Sequence, residues 1–114
     1  MITPGKHDIT IYQGATFELQ VQYKDSAGTP VNMSGYTIAS KLYNRLGTTK
    51  LADFTASYVN QASGIFKIRI EASGTSGITE QGQYDVLVTE PSNDKYYLLE
   101  GNAYINEEIG RAHV

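Results

Sequence analysis

The stretch DITIYQGATFELQVQYKD (Asp8–Asp25) alternates apolar and polar side chains almost without interruption. Phe17, Leu19, Val21 and Tyr23 fall on one side and Glu18, Gln20, Gln22 and Lys24 on the other, which is the period of two of a half-buried β-strand. Ile9 and Ile11 against Asp8, Thr10 and Tyr12 repeat the pattern. Between the two runs, Gln13-Gly14 supplies a residue that tolerates positive φ, so the chain can kink or cross from one sheet to another there. An opening of this kind requires the rest of the chain to supply a second sheet.

Turn signals continue at short intervals: DSAGTP (Asp25–Pro30), Ser34-Gly35, LGTT (Leu46–Thr49), NQASG (Asn60–Gly64), SGTSG (Ser73–Gly77), Gln81-Gly82 and PSND (Pro91–Asp94). Alternating segments between regularly spaced turns predict an all-β sandwich or barrel. Strands are expected near residues 8–12, 15–24, 36–45, 51–59, 65–71, 83–90 and 95–106, seven in all. The clearest is the fifth, where Phe66, Ile68 and Ile70 alternate with Lys67, Arg69 and Glu71. Tyr84, Val86 and Val88 point inward from the sixth, which Pro91 ends because proline cannot donate to a ladder. The third offers Ile38 and Leu42 to the core. The last can bury Tyr97, Leu99, Ala103 and Ile105, with Gly101 as a bulge. The expected core is Phe17, Leu19, Val21, Ile38, Phe66, Ile68, Ile70, Tyr84, Val86, Val88 and Leu99. EASGTSGITEQG (Glu71–Gly82) reads as a crossover between sheets with room for one helical turn around Thr75–Ile78, since its glycines forbid a longer helix.

The 114 residues suit one domain, 1–114, with 1–7 as a leader and 106–114 as a polar tail anchored only by Ile109. The absence of cysteine removes disulfides and thiolate metal sites, so stability must come from packing. A net charge of −3, with nine scattered Lys and Arg, disfavours nucleic acid, which needs clustered cations. Apolar runs are only a few residues long and MITPGKHD lacks a signal-peptide core, so neither membrane insertion nor secretory export is expected and synthesis is cytoplasmic.

No chemistry stands out. His7, beside Asp8, has the atoms of a general base but no motif around it, and reads as an exposed histidine in the leader. His113 is penultimate. The carboxylates form no calcium-binding loop, and a glycosidase-like pair across strands would be no more than chance on a charged sheet face. The glycines never assemble into a phosphate-cradling loop. The expectation is a protein that is not an enzyme, with no catalytic residue, cofactor or metal.

Nine tyrosines and no tryptophan exceed what one small core needs. Outward tyrosines offer rigid amphipathic contact area, and Tyr43, Tyr96 and Tyr104, whose strand neighbours look inward, are the expected interface residues. With the leader 1–7 and the tail 106–114 they make a contact set in which Ile109 is the hydrophobic anchor and Arg111 a bidentate partner for a neighbouring carboxylate.

The order of ITIYQGATF, DSAGTPVNMSGYT, SGIFKIRI, GQYDVLVTE and YYLLEGNAYINEEIGR resembles a module of tailed bacteriophages, the immunoglobulin-like N-terminal domain of the baseplate upper protein and the small virion proteins similar to it. The resemblance covers nearly the whole chain and rests mostly on turn and strand signals. It implies an immunoglobulin-like antiparallel β-sandwich in a non-enzymatic virion protein, with baseplate, tail or capsid subunits or further copies of itself as partners. The chain stops at Val114, where the baseplate protein continues, so no receptor-binding region is expected to follow. A small baseplate or tail accessory is the expected role. A capsid decoration protein, or a carbohydrate or cell-surface binder with Tyr43, Asn44 and Arg45 as a thin platform, are the alternatives.

Overall fold

A computed structural model of the protein describes residues 5–106. Eight strands are formed: β1 (Gly5–Lys6), β2 (Ile9–Tyr12), β3 (Phe17–Gln22), β4 (Thr37–Asn44), β5 (Lys50–Asn60), β6 (Ile65–Ile70), β7 (Gly82–Thr89) and β8 (Lys95–Asn106). The seven expected strands are all present. The eighth, β1, lies in what the sequence presents as a free leader, because backbone pairing needs no apolar pattern.

The strands make a β-sandwich from a curled sheet. One layer carries β4, β7 and β8 with β1 and β2 beside β8, and the other carries β3 and β6. The strand β5 belongs to both, pairing with β4 through Lys50–Phe54 and with β6 from Thr55 to Asn60. The orders β3-β6-β5 and β4-β7-β8 are those of the two immunoglobulin sheets. Pairing is antiparallel except at β1 and β2, which run parallel to β8 with Lys6 opposite Glu100 and Ile9 opposite Ala103.

The turn at Gln13-Gly14 is where the chain leaves the first layer for the second, with Gly14 at φ 82°. A buried threonine holds this corner. Thr75 lies in a short α-helical turn, α1 (Ala72–Thr75), a few residues before the expected position, and its hydroxyl donates to the Ala15 carbonyl at 2.7 Å and accepts from the Gly14 amide at 3.1 Å. Gln81 extends β8 by exchanging two hydrogen bonds with the backbone of Ile105.

Ile9, Ile11, Leu42, Phe54, Phe66, Ile68, Ile70, Tyr84, Val86, Val88, Ala103 and Ile105 meet between the layers. Phe17, Phe54 and Tyr84 cross the sandwich edge to face, with centroids 5.8 and 6.1 Å apart. Five expected core residues are only half-buried against this centre: Phe17, Leu19 and Val21, Ile38, and Leu99. The first three are on β3, which has no neighbour beyond β6. Ile38 lines a cavity of about 240 Å³ beside Ala56 and Tyr58, where β4 and β5 separate. Leu99 lies at a bulge. Met33 and Ile78, both in loops without periodicity, close the ends instead.

That bulge is at Leu98, where Val86 pairs with Leu99 but Leu87 pairs with Tyr97, and not at Gly101 as the sequence suggests. Its effect is to reverse the alternation of β8. Tyr97, expected inside, is 50% exposed, while Tyr96, expected outside, turns toward the core.

Candidate functional site

The outward side of the β1-β8-β7-β4-β5 layer is ordered in rows by its register. One row runs Lys6, Glu100, Asp85, Lys41, Asp53, the next Asn102, Gln83, Tyr43, Lys50, and an apolar third Tyr97, Leu87, Ala39. Between the first two rows and the N-terminal segment lies a cleft of about 300 Å³ walled by Tyr43, Gln83, Asp85, Asn102, Asp8 and Lys6.

The cleft exists because the N-terminal strand is interrupted. Between β1 and β2, His7 and Asp8 leave the ladder and pass over Gly101, where a Cβ would overlap the His7 carbonyl oxygen. Glycine is required by close approach, the role it commonly has where one backbone crosses another. Tyr84, opposite Gly101 in the register, donates its hydroxyl to that carbonyl. Burial, with the Asp8 charge nearby, pushes the Tyr84 phenol up to about 12. The Asp8 carboxylate accepts from the Asn102 amide at 2.9 Å, replacing the missing backbone partner.

The cleft's electrostatics are set by unequal pairing. Glu100 has Lys6 at 3.4 Å and Asp8 has the Asn102 amide. The Asp85 carboxylate accepts no hydrogen bond from a described residue. Burial raises its pKa from the ordinary value, Lys41 opposes the shift and Glu100 adds to it. A smaller recess of about 60 Å³ shares Tyr43 and Asp85 with the cleft and continues it to Leu87 and Tyr97. Cleft and recess form one trough across the sheet. Chemically it can hold a polar ligand against an aromatic wall; among the described residues no three His, Cys, Asp or Glu side chains converge to hold a metal ion.

The expected interface residues are thus dispersed. Tyr43 is half-buried in the trough, and Tyr104 is 40% exposed further along β8, opposite Thr10. Tyr96 is not on this face: it packs at the far end of the sandwich, where its hydroxyl, raised mainly by Asp94 and Glu90, lies near Tyr36 and Tyr23. The bulge gives its place to Tyr97. Ile109 and Arg111 lie outside the described residues. His7 serves through its backbone, with its amide donating to Glu100 at 2.9 Å. Gln83, Asp85 and Asn102 were missed, although Tyr84, Val86 and Val88 pointing inward already put Gln83, Asp85 and Leu87 outward. What gave no sequence signal was the concavity, which arises from the interruption at His7-Asp8.

No curated protein matches the chain. The family described as LtfC-like, beta-sandwich domain matches residues 3–106, which takes in every strand of the fold. That match supports a phage-associated β-sandwich domain and does not extend to the narrower likeness to the baseplate upper protein. The match spans most of the chain, and the protein belongs to the LtfC-like β-sandwich domain family.

Proposed function

We propose that the protein is a non-enzymatic structural component of a bacteriophage virion, a small baseplate or tail accessory that works through protein–protein contacts. The observation that carries this reading is the exposure of Tyr104 on the outward face of the larger layer, since exposed aromatic side chains are typical interface anchors. Family membership and the resemblance of the turn and strand motifs support it. The contact region in this reading is the end of β8 at Tyr104, together with Ile109 and Arg111 of the segment that follows it in the sequence.

The test is incorporation. A Tyr104→Ser variant and a variant lacking residues 107–114 should melt like the parent and be incorporated poorly into particles. Normal incorporation of both variants would overturn the contact assignment. Electron microscopy of labelled particles then decides location: density at the tail or baseplate is the expected result, and density over the head lattice would replace the accessory role with capsid decoration.

A further inference from the structure

The trough on the larger layer calls for a ligand of a different kind from a neighbouring subunit. Four of its side chains, Tyr43, Gln83, Asp85 and Asn102, converge from three adjacent strands, with Gln83 opposite both Tyr43 and Asn102 in the register. None of the four side chains is hydrogen-bonded to a described residue, whereas three charged groups beside them are engaged: Lys6 with Glu100, and Asp8 with the backbone amide of Asn102. The free set combines one carboxylate acceptor, two amides that both donate and accept, and a phenol on an aromatic ring.

We infer that this trough is a binding site for a neutral oligosaccharide. Adjacent hydroxyls of a sugar ring present donors and acceptors together, which Asp85 with the paired amides of Gln83 and Asn102 can satisfy at once. The weakly polar C–H face of the ring lies against the Tyr43 side chain, as flat apolar surfaces of ligands do on aromatic walls. The volume of about 300 Å³ is at the lower bound of ligand pockets. The recess toward Leu87 and Tyr97 lengthens it, since Gln83 to Leu87 is four residues along a strand, roughly 13 Å. A second aromatic ring at the far end provides a platform for a further sugar unit.

Charge sets the class. Asp8, Asp85 and Glu100 line the cleft against Lys6 alone, and Lys41 borders the recess, so three carboxylates face two ammonium groups. An anionic ligand would meet net repulsion. A carboxylate partly withdrawn from water, as Asp85 is, gains from hydroxyl donors that replace the lost hydration. This site lies apart from the contact region at the end of β8 and does not depend on the virion reading.

The test is two-dimensional NMR of the full 114-residue chain titrated with di- and trisaccharides built from glucose, galactose, mannose, rhamnose or N-acetylglucosamine, and with sialyllactose as the anionic control. At least one neutral saccharide should produce saturable shifts in the millimolar range at the amides of Gln83, Asp85, Gly101 and Asn102, and sialyllactose should bind at least tenfold more weakly. Gln83→Ala, a change at an exposed position, should weaken binding about tenfold with an unchanged spectrum elsewhere, and Tyr43→Ala should weaken it further. The proposal fails if no neutral saccharide gives saturable shifts, if the shifts scatter over both layers, or if both variants bind like the parent. Loss of particle incorporation in Gln83→Ala without any saccharide binding would assign the trough to a protein neighbour instead.

Discussion

The two layers share one core but turn different faces to the surroundings. On the smaller one, Glu18 lies between Lys67 at 3.4 Å and Arg69 at 3.9 Å, and Arg69 also reaches Glu71 at 3.5 Å. Cross-strand register makes this possible, since Glu18 is opposite Arg69 and Gln20 opposite Lys67. The charges there answer one another. On the larger layer the trough holds the Asp85 carboxylate and the side-chain amides of Gln83 and Asn102, none of them bonded to a described residue, with Tyr43 half-buried and Tyr97 exposed. Equal apolar alternation inside is therefore compatible with unequal outsides, and the concave group Tyr43, Gln83, Asp85 and Asn102, whose side chains have no hydrogen bond to a described residue, is the part equipped for recognition.

The strongest challenge to this comparison is to remove what both faces rest on. Phe66 is fully buried on β6 and packs in the common core. Phe66→Ala should cost about 3–5 kcal/mol, near the whole stability of a small domain. Because one core serves both layers, loss should appear as a single unfolding transition by circular dichroism and tyrosine fluorescence. Two separated transitions would mean that the layers are independently stable, and the comparison would then be between two folding units.

A smaller change separates the faces. Adding a methyl group at Gly101 forces the His7 carbonyl away, and overpacking of this kind costs about 1–3 kcal/mol. The damage should stay on the larger layer. In Gly101→Ala, amide exchange should accelerate in β1 and β2, whose pairing with β8 flanks the crossing, while β3 and β6 keep their protection. Uniform acceleration would show that the crossing supports the whole sandwich and not only the cleft.

The same contrast explains what could be read in the sequence. In β6 and β7 every alternate residue keeps its side, because each residue of both strands is paired without an extra one inserted, so periodicity alone locates Phe66, Ile68, Ile70, Tyr84, Val86 and Val88. In β8 one unpaired residue, Leu98, moves the alternation to the other parity, and YYLL offers no composition cue as to which of the two tyrosines turns inward. The five half-buried core candidates pack against the core but are not enclosed by it, for a related reason. Burial depends on neighbours, and β3 is left at an edge because both N-terminal strands pair with β8. Gly101 reads as a bulge in the sequence, whereas the bulge is at Leu98 and the glycine is required by the approach of His7 from the other end of the chain.

The last and smallest effect tests the comparison by sign. Removing the charge of Glu18 takes a carboxylate from two cations on a half-exposed face, so Glu18→Gln should lower stability by less than about 1 kcal/mol, and the loss should shrink as salt screens the pairs. Asp85 should behave oppositely. Its folded pKa is raised chiefly by burial, so the folded state binds the proton more readily than the unfolded chain. The stabilising protonated form is fully present below the ordinary carboxylate pKa and is lost as pH rises through the raised value, leaving an unfavourable ionised group at neutral pH. Asp85→Asn removes that group while keeping its shape. The variant should melt above the parent at pH 7, and the gap should close below the ordinary carboxylate range, where the parent is protonated. A variant that melted below the parent at pH 7 would mean that Lys41 outweighs burial, that Asp85 is as well matched as Glu18, and that the two faces do not differ in the way their geometry indicates.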